Sequence, residues 1–83
     1  LSPELLEIAR CESGLNPKAY SWDGGAQARG LFQITRKYWP NITDECAFDP
    51  NCSVDFALSI ETKDYDRIWT CSRLIKAGAY PRY

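Results

Sequence analysis

The chain has 83 residues, a net charge of −1 and no histidine. That length holds one small domain. The charge gives no electrostatic case for nucleic acid or an anionic membrane, and no apolar run is long enough to span a bilayer or form a signal core. Without histidine the mixed Cys/His zinc patterns are excluded, and the four cysteines contain no C-x-x-C pair.

A chain of this size buries only about 60–65 % of its unfolded surface, so its core is marginal without help. Two disulfides would supply it, which places the chain in an oxidising compartment. Three pairings are possible on paper. The favoured one joins Cys46 to Cys52 across the short "CAFDPNC" loop and Cys11 to Cys71 between the first and last helices. In the chain-entropy model these are worth roughly 2 and 4 kcal/mol.

In chain order, "SPELLEIARCES" reads as a helix. Ser2 is its N-cap and Pro3 its first residue. Gly14 takes the left-handed position that ends it, and Asn16-Pro17 forbids continuation. "AYSWDGGAQARG" reads as a turn or small β-hairpin around Asp23-Gly24-Gly25. "LFQITRKYW" reads as a second short helix ending before Pro40. "NITDECAFDPNC" reads as a stapled loop. "SVDFALSIETKDYDRI" reads as a third helix with Val54, Ala57, Leu58 and Tyr65 on one stripe. "WTCSRLIKAGAYPRY" closes the chain as a short helix or coil and a tail. There is no internal repeat and no low-complexity tract.

The first helix carries an anomaly. At about 100° per residue Leu1, Leu5, Ile8 and Glu12 stack on one face, with Ala9 beside them. Glu12 therefore ends the apolar stripe rather than joining Glu4 and Glu7. Partial desolvation and the negative end of the helix dipole both raise the pKa of a carboxyl there. A glutamic acid still protonated near neutral pH is what a general acid requires. The bland alternative is a last-turn Glu exposed to solvent or paired with Arg10, Arg29 or Arg73. The three tryptophans and five tyrosines can fill a core or offer flat faces that match the C–H face of a pyranose.

"ESGLNP" followed by "GLFQI" resembles the catalytic core of the soluble lytic transglycosylase and goose-type lysozyme branch of the lysozyme-like superfamily. Glu12-Ser13 and Gly30-Leu31-Phe32-Gln33 match that family's Glu-Ser and Gly-Leu-(Met/Phe)-Gln motifs in order, type and separation. "ARG" before the second motif and "DPNCSVDFAL" after it are similar to the succeeding elements, and the likeness runs over about residues 4–60. Small disulfide-bearing members also carry a Cys next to the catalytic Glu. Cys11 fits, which supports the 11–71 pairing.

The resemblance implies a mainly α, α+β lysozyme-like fold of four or five short helices and a small β-hairpin. It implies that Glu12 is the acid/base for the β-1,4 bond between N-acetylmuramic acid and N-acetylglucosamine in peptidoglycan. Ser13 and Gln33 would bond the sugar or orient Glu12, and Gly30 would let the backbone approach the ligand. Ser13 capping local backbone is the plainer reading. Asp23 is the candidate second carboxylate of a hydrolase, against an ordinary Asp-Gly-Gly turn. Asp44, Glu45 and Asp49 are weaker candidates. Trp22, beside Asp23, is the candidate sugar stacker.

The family's Tyr-Asn-Ala-Gly segment is absent. Tyr65 or Trp69 is expected in its place, and Tyr65 is therefore a candidate substrate contact. The expectation is one domain over residues 1–83, cut from a longer exported protein and acting outside the cytoplasm. It is expected to be a monomer and to act on glycan strands with no metal and no organic cofactor. The rival readings are a muramidase using Asp23, a glycan-binding module without useful catalysis, and a stapled inhibitor or toxin scaffold.

Overall fold

The computed structural model describes residues 2–22 and 27–78. Helix α1 spans Pro3–Ser13. The Leu5 amide donates to Ser2 Oγ at 3.2 Å, and the Gly14 amide donates to Arg10 O at 2.8 Å with φ +66. Both ends thus satisfy backbone groups that a helix leaves orphaned. Leu5, Ile8 and Ala9 are buried along one side, as the stripe predicts.

A three-stranded antiparallel sheet follows, in the order β1 (Tyr20–Ser21), β2 (Ala28–Arg29), β3 (Ile34–Thr35). Tyr20 pairs with Arg29, and Arg29 with Ile34. The Asp23-Gly24-Gly25 turn lies outside the described residues. The third strand corrects the helix expected over residues 31–39. Gly30 has φ +77 and Gln33 φ +49, which no right-handed helix accommodates. Ile34 and Thr35 are β-branched and favour the strand that follows.

The stapled loop contains a helix of its own. In α2 (Asp44–Phe48) the Cys46 amide donates to Thr43 Oγ1 at 3.1 Å. In α3 (Pro50–Leu58) the Cys52 amide donates to Asp49 Oδ2 at 2.8 Å. Two capping side chains six residues apart make two short helices where the spacing alone suggested a loop. The long third helix is also divided. After α3 the chain breaks at Ser59, whose Oγ donates to Phe56 O at 2.6 Å. It resumes as a 3₁₀ turn over Thr62–Asp64, then α4 (Tyr65–Ile68) and α5 (Thr70–Lys76). The buried stripe of α3 is Ser53, Phe56 and Ala57, and the expected stripe residue Leu58 is exposed. The Ser53 hydroxyl has no hydrogen-bond partner among the described residues.

Disulfides join Cys11 to Cys71 and Cys46 to Cys52, so one staple ties α1 to α5 and the other ties α2 to α3. The sheet is held to α2 by Arg29, which is 1 % exposed. Its guanidinium donates to Ile34 O at 3.1 Å, to Ile42 O at 2.8 Å and to Asp44 Oδ1 at 2.8 Å. Those bonds are what make a buried charge tolerable. They also hold the Asp44 carboxyl below the usual range, with Arg36 contributing less. Arg29 is therefore committed to a structural ion pair.

Candidate active site

Glu12 lies in the last turn of α1 and is half-buried. The Cys71 amide, in the first turn of α5, donates to its Oε2 at 3.3 Å. Among the described residues no lysine or arginine forms an ion pair with it. Burial raises its pKa above the ordinary glutamate value; the Cys71 amide opposes this with a smaller effect. The carboxyl faces a groove of about 300 Å³ whose other walls are Ser21 and Ala28 on the sheet, Gln33 and Thr35, and Ile68, Trp69 and Thr70. The sheet is one wall and the helices the other, with α1 joined to α5 by the 11–71 disulfide.

Trp69 forms the floor beside Glu12. It is 2 % exposed, its Nε1 donates to Phe32 O at 2.8 Å, and its ring packs on Phe32 with centroids 5.7 Å apart. Large aromatic surface beside a carboxyl lowers the local dielectric and disfavours the charged form. Tyr65, expected to touch substrate, stands behind this floor: it is 5 % exposed, and its ring meets Trp69 edge-on at 5.4 Å. Both belong to the buried core, but Trp69 lines the groove and Tyr65 does not.

Gln33 does reach the groove. Its Nε2 donates to Gly30 O at 3.0 Å and to Ala19 O at 3.4 Å, which fixes the amide and leaves its oxygen without an assigned donor among the described residues. Ser13 takes its plainer reading, with Oγ donating to Ala9 O at 3.0 Å. Gly30 makes a close approach, but to the protein itself: a Cβ there would lie 1.8 Å from Ala47 O. Trp22 is 69 % exposed. Side chains alternate along extended chain, and Ser21 lines the groove. Trp22 instead shares its side with Tyr20, ring to ring at 6.3 Å, and Tyr20 lies 6.3 Å from Phe48 of α2. Trp22, the expected sugar stacker, is not among the residues lining the Glu12 groove. Asp23 lies outside the described residues. Among the described lining residues Glu12 is the carboxylate, and Asp44, Glu45 and Asp49 line other hollows near α2.

Sequence reading missed Ser21, Thr35 and Thr70, hydroxyl-bearing residues that line the same groove as Glu12. It also missed the Cys71 amide. A signal for the amide existed: if Cys11 is bonded to Cys71, residue 12 must lie beside the start of the last helix.

Glu12 is thus a half-buried carboxyl with no cationic partner among the described residues, set in a groove between helices and a small sheet. Residues 1–80 match the family model of the transglycosylase SLT domain, and the chain belongs to that family. It is also 38 % identical over 48 residues to alpha-lactalbumin of Tachyglossus aculeatus aculeatus, a lysozyme-like protein. That alignment takes in 58 % of this chain and 38 % of the relative's length. No solved structure matches the chain significantly. The disulfides and the family are consistent with an extracytoplasmic location. Among the described residues no helix is long and apolar enough to cross a membrane.

Proposed function

We propose that the chain is a peptidoglycan lytic transglycosylase in which Glu12 acts twice. The protonated carboxyl gives its proton to the glycosidic oxygen as the bond from the muramic C1 to that oxygen breaks. The resulting carboxylate then takes the proton of the muramic 6-hydroxyl as O6 bonds to C1. A 1,6-anhydro ring forms, a free 4-hydroxyl leaves on N-acetylglucosamine, and no water is consumed. This route needs one protein carboxylate, because the nucleophile belongs to the substrate.

The observation that carries the reading is the state of Glu12: half-buried, raised in pKa by desolvation, and facing a groove without a basic partner among the described residues. Gln33, Ser21, Thr35 and Thr70 offer polar contacts to the sugar around it. Family membership supports the same class of reaction.

Digestion of purified sacculi, with products read by mass spectrometry, is the test. Anhydro-muropeptides are expected. Reducing ends would move the reading to a muramidase, with Asp23 as the residue to replace next. Glu12→Gln should lower the rate by about 10²–10⁴-fold, the usual contribution of a positioned acid or base. A variant that clears walls as fast as the parent would falsify both enzyme readings, and binding without cleavage by the parent would leave a glycan-binding module.

A further inference from the structure

A second hollow adjoins the groove at Glu12. Thr35 and Ile68 line both, and the second, of about 470 Å³, is closed by Tyr38, Trp39 and Arg67. Its rim is basic. Arg67 is 73 % exposed on α4, with Nη2 at 3.2 Å from Asp64 Oδ1. That single contact uses part of a guanidinium with five N–H donors. Lys37 Nζ lies 5.5 Å from the centroid of the exposed Tyr38 ring. The neighbouring acids are otherwise engaged. Asp66 accepts from Ser72 Oγ at 2.7 Å and pairs with Lys76 at 3.1 Å, and Glu61 pairs with Lys63 at 3.4 Å. Arg67 therefore lines a hollow that shares Thr35 and Ile68 with the carboxyl site, on a chain whose net charge is −1.

We propose that Arg67 binds a carboxylate of the muramic acid units in this hollow. The inference rests on the peptidoglycan reading above. It adds that the enzyme distinguishes a muramic glycan from a polymer of N-acetylglucosamine alone, which has no carboxylate. The carboxylate belongs to the lactyl group where the muramic acid is peptide-free, or to the peptide stem where one is attached. A planar fork suits either.

Binding separates the possibilities, measured calorimetrically in the Glu12→Gln background to prevent turnover. Three soluble probes are used: stem-bearing glycan oligomers, stem-free muramic oligomers and chitohexaose. Arg67→Ala should reduce the preference for muramic glycan over chitohexaose about fivefold, a modest factor because the site is exposed. The reduction should shrink in high salt. Loss with both muramic probes identifies the lactyl group, and loss with the stem-bearing probe alone identifies the stem; both support the proposal. An unchanged preference, or no binding of any probe, overturns it.

Asp64→Asn removes the partner of Arg67 and keeps the guanidinium, so it should retain the preference. If it instead reproduces the Arg67→Ala loss with an equal fall in Tm, Arg67 is structural and the proposal is wrong. Digestion of sacculi by the parent reports independently on the underlying reaction, so failure of one reading is not mistaken for failure of the other.

Discussion

Glu12 meets two demands that oppose each other. A general acid must keep its proton near neutral pH, which here comes from burial, and burial of an ionisable carboxyl costs folding free energy once the group is charged. The sign follows from proton linkage. Its folded pKa is raised, so the native state binds more protons than the unfolded chain, and stability falls as pH rises through the window above the ordinary glutamate value. Glu12→Gln keeps the shape and removes the charge. Its Tm is expected to exceed the parent's at neutral pH, and the gap should close on acidification below that window. A gap that widens toward acid would show that Glu12 is stabilised as the carboxylate, and the general-acid role would go with it. This residue was legible because helical periodicity put it at the end of the Leu5–Ile8 stripe. Trp22 was not legible in the same way. Its place next to Asp23 in sequence said nothing about which surface it would join, and it is exposed outside the lining of the groove.

At the level of elements, the segment from Gly30 to Thr35 shows where a motif names residues without describing their backbone. Its apolar letters fit a helical period, yet the chain turns twice through left-handed conformations and then enters a strand. The cause is a contact distant in sequence: the Gly30 backbone lies against the Ala47 carbonyl. Gly30→Ala should therefore be severe, about 3 kcal/mol or more, because it adds backbone overlap to an unfavourable φ. Gly14→Ala is the control. Its φ is also positive, at +66, but nothing lies within 4 Å of the added methyl, so about 1 kcal/mol is expected. Chemical denaturation of the two variants measures the difference, and equal costs would mean that conformation alone, not the approach to α2, requires the glycine at residue 30. Helix α1 was readable from its own letters, whereas those of α5 left helix or coil open. The division of the third helix at Ser59, and the extra helix inside the staple, depend on side chains that bond backbone a few residues away.

Across the whole molecule the two disulfides have different jobs, and the difference is measurable. The Cys46–Cys52 staple closes a short loop near α2 and α3, outside the Glu12 groove, whereas Cys11–Cys71 spans 60 residues and joins the helix bearing Glu12 to the helix whose amide contacts it. Replacing both cysteines of the short staple with serine should cost about 2 kcal/mol, and of the long one about 4 kcal/mol, from the freedom returned to the unfolded chain. Only the second change should also reach the chemistry. With α1 and α5 free to separate, water reaches Glu12, the desolvation that raises its pKa is relieved, and the pH above which activity declines should move toward the ordinary glutamate value. The experiment is a pH–rate profile of each double variant under conditions where both remain folded. A profile displaced by loss of the short staple, or unmoved by loss of the long one, would mean that the walls of the groove are held by apolar packing around Trp69 rather than by the covalent tie.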